Sequence, residues 1–354
     1  MRILMVATLA ATATAFTAFI PGKAHAAGPE ISGPFTYGNL AIYFVHGASA
    51  PGPVPLTLQE AMAKGTVRVI ETGSVNELKI ENSGDEDVYI QSGDIVKGGR
   101  QDRVLTVSFV LPQKSGEVPV ASYCVEHGRW SARGGENAAL FASSAESLPS
   151  REAKLAMKAP APASIEPQRS GAAGQAYYAA AETSQRQRAV WDEVAKTQYK
   201  LSAGVNAPVA SHASATSLQL SLENKKLTEL RAEYTKALED KAAAGDIVGL
   251  VFAVNGRVNS ADIYPSNGLF RKMWLKLLTA SVTEAVGEKT DAPGAGAPPV
   301  EAVRDFLAGA EKGKSYAQKI GTLAQQETRD AGSALFVEAA RPSGEWVHRN
   351  YLAK

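Results

Sequence analysis

An α+β fold is predicted by three observations. Short β-branched and aromatic runs, broken by turn residues, fill residues 35 to 126. Helix-periodic segments dominate from residue 175 onward. An Asn-Gly turn joins two apolar runs inside that second part, so helices there pack around a further portion of sheet.

Phe35 to His46 (FTYGNLAIYFVH) is aromatic and β-branched and reads as strand. Thr57-Leu58-Gln59-Glu60 is a capping box. The Thr57 hydroxyl is placed to accept the Glu60 N–H while the Glu60 carboxylate reaches back, so a short helix starts here. Gly65 suits the left-handed residue that ends it. Val67 to Glu71, Asn76 to Asn82, Val88 to Gln91, Val104 to Leu111 and Val118 to Val125 follow as strands, separated by turns such as Ser83-Gly84-Asp85. Their near-regular spacing predicts a mostly antiparallel sheet, sandwich or barrel-like, over 27–142.

Residues 143–174 turn rich in Ala, Ser and Pro and read as a surface loop or linker, extended at Ala159-Pro160-Ala161-Pro162. Gly287 to Pro299 is a second such stretch. In 175–354, Gln175 to Leu201 reads as a helix, and Ser217 to Ala243 as another, with Leu227, Leu230, Tyr234 and Leu238 at helical spacing. Ile247 to Val254 and Val258 to Tyr264 flank Asn255-Gly256, where both residues tolerate positive φ, and form a hairpin. Ser266 is placed to cap a helix striped with Leu269, Met273, Trp274 and Leu277. Val300, Val303, Phe306 and Leu307 mark one more helix, and Ala334 to Glu338 and Glu345 to Tyr351 close the chain as strands. The two halves are expected to make one compact unit.

The chain opens MRILMVATLAATATAFTAFIPGKAHA, with Arg2 as a positive start, an uncharged apolar run from Ile3 to Ile20, a Pro21-Gly22 break and a small-x-small exit at Ala24-His25-Ala26. This is the pattern of a cleaved secretory signal over residues 1–26. The run is also long enough for an anchor, but its Ala/Thr content and small-residue exit favour cleavage. Export to a periplasm or the medium is therefore expected, with no membrane span in the mature chain. Cleavage removes Arg2 and Lys23 from 37 basic residues and leaves the 36 acidic ones, a near-neutral balance without the basic footprint of a nucleic-acid binder. One cysteine, Cys124, excludes an internal disulfide. His46, His127, His212 and His348 show no HxH or HExxH spacing, so no metal or cofactor is assigned.

Two polar motifs carry the candidate chemistry. Gly93-Asp94-Ile95-Val96-Lys97-Gly98-Gly99-Arg100-Gln101-Asp102-Arg103 lies between two strand segments. Gly98 and Gly99 let backbone approach a ligand, and Lys97, Arg100 and Arg103 supply cations for a phosphate, sulfate or carboxylate. The same residues suit a glycine hairpin in which Asp94 and Asp102 pair with the arginines. The motif is neither a P-loop nor a dinucleotide fingerprint. Cys124-Val125-Glu126-His127-Gly128-Arg129-Trp130 ends an apolar strand. Glu126 and His127 are capable of acid–base work, Arg129 of gripping an anion and Trp130 of stacking. An Arg–Glu structural pair with Trp130 as a core plug is the plainer reading, and Cys124 reads as buried and inert. His348, Trp191 and Trp274 read as structural.

The pairing of GDIVKGGRQDRVL with CVEHGRW resembles a bacterial domain family of unknown function, named for its association with ADP-ribosylglycohydrolases and rhodanese-phosphatases. The resemblance extends to Leu56-Thr57-Leu58-Gln59-Glu60-Ala61, Val190-Trp191 and Gly249 to Leu278. It places Gly98, Gln101, Arg103, Cys124, Glu126, Gly128, Arg129 and Trp130 at motif positions; His127 departs, a neutral polar residue being expected there. The resemblance implies a neighbourhood in ADP-ribose or phosphate-ester metabolism.

The expected function is binding of an anionic small molecule, a phosphorylated or nucleotide-like sugar. The candidate ligand residues are Asp94, Lys97, Gly98, Gly99, Arg100, Gln101, Arg103, Arg129 and Trp130. The alternatives are a hydrolase of a phosphoester or glycosidic bond using Glu126 as acid or base, and a structural or envelope interaction protein. All three readings turn on whether 93–103 and 124–130 meet in space.

Overall fold

The computed structural model describes residues 29–158, 172–290 and 296–354. The signal segment 1–26 and the Ala159 to Pro162 stretch lie outside the described residues, as do residues 291–295 of the second loop. Along the chain run β1 (Glu30–Tyr37), β2 (Leu40–His46), β3 (Leu56–Thr57), α1 (Leu58–Ala63), β4 (Val67–Glu71), β5 (Glu77–Asn82) and β6 (Val88–Ile90). Then come β7 (Asp94–Gly98), β8 (Arg103–Leu105), β9 (Phe109–Leu111), β10 (Gly116–Cys124), β11 (Phe141–Ser147), α2 (Arg151–Lys158) and α3 (Ala172–Gly204). The second half holds α4 (Leu218–Leu222), α5 (Lys225–Leu238), β12 (Ile247–Val254), β13 (Arg257–Ile263), α6 (Asn267–Gly287) and α7 (Val300–Ala310). It ends with β14 (Lys314–Ile320), β15 (Ala324–Asp330), β16 (Ala334–Ala340) and β17 (Trp346–Ala353).

The α+β prediction holds. Among the described residues three sheets form: eight strands in the order β1-β2-β12-β13-β17-β16-β15-β14, six in the order β11-β7-β8-β10-β5-β4, and a small β3-β6-β9 sheet. The six-stranded sheet curls toward a barrel. Glu71 N–H, on the β4 edge, donates to the Ala139 carbonyl at 2.9 Å, and Ile70 bridges Leu140 just before β11. The Asn255-Gly256 hairpin forms with both residues at positive φ (51° and 76°). It sits in the middle of the eight-stranded sheet, against β2 on one side and β17 on the other. Strands from both halves of the described chain thus share one sheet.

The central strands explain the core. β2 reads LAIYFVH because it is covered on both faces. Leu40, Ile42 and Phe44 face the helices, where Phe44 meets Trp274 of α6 edge-on at 5.3 Å. Tyr43 and Val45 point the other way, toward Val303 and Leu307 of α7. Each such fully buried aromatic or aliphatic side chain contributes about 1.5–3 kcal/mol. Local signals act as read: the Thr57/Glu60 capping box closes α1, and the Ser266 hydroxyl accepts the Leu269 N–H at the start of α6. No helix among the described residues is long and apolar enough to cross a membrane.

Two expectations are corrected. The first part of the 143–174 linker is structured: 143–147 completes β11, an edge strand on β7, and 151–158 is α2. Small Ala and Ser side chains there fit a crowded sheet edge instead of marking a loose connection. The helix read over Ser217 to Ala243 breaks at Asn224, whose side chain accepts the Lys226 and Leu227 N–H groups and starts α5 afresh.

Candidate functional site

The two motifs meet. β8 pairs with the end of β10, placing Arg103 opposite Cys124. Beyond the strands the contact continues: Val125 N–H donates to the Asp102 carbonyl (3.0 Å), and Gln101 Nε2 to the Glu126 carbonyl (3.0 Å). Asp102 N–H donates to Glu126 Oε2 at 3.1 Å. The turn before β8 needs its glycines. Gly98 and Gly99 have φ of 112° and 55°, and a Cβ on Gly99 would lie 2.3 Å from the Phe141 ring of β11.

At this junction Asp102 and Glu126 have lost all solvent contact. Two buried carboxylates are tolerable only when paired and fully hydrogen-bonded. Arg129 reaches Glu126 at 2.7 Å and Asp102 at 3.6 Å. Arg133 reaches Asp102 at 3.0 Å, Glu126 at 3.3 Å and Glu136 at 2.8 Å. Ser217 donates to Asp102 at 2.7 Å, and Ser214 donates to Glu126. Burial pushes the Glu126 carboxyl up, but hydrogen bonds from Arg129, Ser214 and the Asp102 N–H outweigh it and hold the group below its ordinary value. Both carboxylate oxygens of Glu126 are thus engaged by partners of the chain itself.

The remaining candidates divide. The Arg103 side chain is wholly buried; it donates to the Gln101 carbonyl at 2.9 Å and lies 3.5 Å from Glu71, with its Nε unpartnered. Arg100 is exposed, and its guanidinium lies 5.4 Å from the ring centroid of Trp130, which is 42% exposed and therefore no core plug. Lys97 pairs with Glu223 at 2.8 Å. Asp94 stands apart from the network: it accepts the Gln91 N–H and pairs with Lys276 of α6 at 2.8 Å. Cys124 is buried, and burial pushes its thiol up to about 11, which suits an inert packing residue. The arginines expected to surround a guest thus mostly hold carboxylates of the chain itself.

Above the network, the exposed face of the second motif meets α3. His127 and Trp191 stand edge-to-face at 4.5 Å. With Arg188, Asp192, Val194, Ala195, Gln198 and Thr216 they line a groove of about 450 Å³. The groove is tied to the motif by Thr216, which donates to the His127 carbonyl at 2.7 Å, and by Gln187, which bonds both backbone groups of Cys124. Arg188 is exposed and its guanidinium has no ion-pair or hydrogen-bond partner among the described residues. Sequence reading missed Arg133, Ser214, Ser217, Gln187 and Arg188. The i,i+4 spacing of Arg129 and Arg133 was the available signal for the first; the others come from distant segments.

Other clusters are closed or self-paired. Ser108 and Asp262 sit at 2.9 and 3.0 Å from the two ring nitrogens of His348, but all three are buried and Ser108 also accepts the Ser92 N–H. Beside them Lys158, whose Nζ donates to Asn350, is pushed down to about 7 by burial. Glu152, Glu284 and Glu288 converge near α2, with Arg151 and Lys200 already on Glu152 and Glu288. A depression of about 670 Å³ between 50–55 and 341–347 contains no residue of either motif.

Fold and junction together define an α+β domain built on a buried carboxylate–guanidinium network that locks two distant motifs. The chain belongs to the family described as the ARG and Rhodanese-Phosphatase-superfamily-associated Protein domain, whose model matches residues 28–352, as the motif resemblance implied. No curated protein and no solved structure matches it.

Proposed function

We propose that the protein is exported and binds an anionic small molecule, a phosphorylated or nucleotide-like sugar, in the groove between the 124–130 turn and α3. One observation carries this reading: an unpaired Arg188 beside the His127–Trp191 aromatic pair, in a groove anchored to the motif. A guanidinium without a counter-ion is a ready fork for phosphate, and the aromatic pair offers an apolar surface for the rest of the ligand. The motif arginines serve the reading indirectly, by making the turn that carries His127 rigid. Export rests on the composition of residues 1–26.

Calorimetric titration of the mature protein with AMP, ribose 5-phosphate and inorganic phosphate tests binding. Arg188→Ala should weaken each at least about tenfold, roughly 1.4 kcal/mol, with no change in melting temperature. Undiminished affinity in that variant, or no binding by any probe to the wild type, overturns the proposal. Recovery of the protein from the cytoplasm with Met1 retained overturns export.

A further inference from the structure

Arg188 and Asp192 stand four residues apart on α3, both exposed and both lining the groove. On a helix that spacing brings side chains together, about 6 Å along the axis, and opposite charges there commonly pair. These two do not: neither has an ion-pair or hydrogen-bond partner among the described residues. Trp191 lies between them in sequence, and the groove continues past it to Val194, Ala195 and Gln198. The groove therefore presents a cation without an ion pair, an aromatic surface and a carboxylate whose charge also acts on Lys196.

We infer that Asp192 selects the ligand: the guest carries an anionic group for Arg188 and, about one helical turn away, hydrogen-bond donors for Asp192, with a ring against Trp191 and His127. This deepens the proposed function and rests on it. A ribonucleoside monophosphate carries all three complements: a phosphate, a sugar diol and a flat base. The Asp192 carboxylate accepts from both hydroxyls of a diol, a geometry that charge-assisted bonds make strong. Against a bare anion the same carboxylate acts by repulsion, so the residue discriminates in both directions.

The test compares AMP, 2′,3′-dideoxy-AMP and inorganic phosphate on the wild type and on Asp192→Asn, a change that removes the charge and keeps the shape. The substitution should weaken AMP about tenfold, leave dideoxy-AMP within twofold, and tighten phosphate. Equal changes for AMP and dideoxy-AMP, or weaker phosphate binding, overturn the selection role while leaving groove binding intact. Loss of all three probes in Arg188→Ala, with the preference for AMP over dideoxy-AMP abolished in Asp192→Asn, supports both. Failure of every probe to bind the wild type overturns both.

Discussion

Gln187 of α3 and Cys124 of β10 are joined by two hydrogen bonds: the Cys124 N–H donates to Gln187 Oε1 at 2.8 Å, and Gln187 Nε2 donates to the Cys124 carbonyl at 2.9 Å. A side-chain amide thus stands in for a neighbouring strand where the sheet ends, and Gln187 is 3% exposed. Gln187→Leu fills the same space but strands two buried backbone groups. It should destabilise by about 1–3 kcal/mol per stranded group in urea unfolding, and it should also loosen the groove, since Arg188 and Trp191 follow directly. A variant as stable as the wild type would show that water replaces the amide.

Glu126→Gln tests the network. It leaves Arg129 and Arg133 with one buried carboxylate fewer between them, and breaking a buried pair costs about 3–5 kcal/mol. The sign with pH follows from the lowered carboxyl: its stabilisation is present above the unfolded value and lost as pH falls through the folded one. The gap between variant and wild type should narrow below about pH 4. A gap that stays constant down to acid unfolding would contradict the assignment.

Gly99→Ala and Gly116→Ala form a matched pair. Both glycines have left-handed φ, 55° and 63°, but only Gly99 faces an obstacle, the Phe141 ring, while Gly116 faces open space. Strain alone costs about 1–3 kcal/mol at either site. Gly99→Ala should be the more destabilising in chemical denaturation, and equality would mean that Phe141 moves aside freely.

Glu284 gives a pH signature of opposite sense to Glu126. Burial, then Glu152, push its carboxyl up to about 7. A raised carboxyl favours the folded state below the unfolded value, and that advantage is lost as pH rises through 7. Glu284→Gln keeps an oxygen to accept the Arg151 and Asn259 N–H groups. It should therefore become steadily more stable relative to the wild type between about pH 4.5 and 7, then level off. Melting curves of both proteins at pH 5 and pH 8 check this; a difference independent of pH would rule it out.

Much of the fold was legible where a local rule suffices. Thr57 with Glu60, Ser266, and Asn255 with Gly256 each act through neighbours a few residues away. The meeting of the two motifs was legible as a question, because glycines and arginines at strand ends mark it. Its answer was not, because the carboxylates that neutralise Arg129 and Arg133 are themselves held by Ser214 and Ser217, far along the chain in an unpatterned Ser/Ala loop. β14 and β15 escaped notice for a different reason. KSYAQKI is exposed along almost its whole length, so no alternation of apolar and polar residues announces the strand.

The place of β2 in the large sheet bears on how the chain matures. His46 pairs with Ile247, and β13, its neighbour once removed, pairs with β17 at the terminus. The β1–β2 hairpin therefore waits some two hundred residues for its partner strand, and the β13 edge is covered only when Leu352 is available. Such distant pairings make assembly slow, and a chain shortened before Trp346 would expose the flanks of both β13 and β16 to whatever strand comes by.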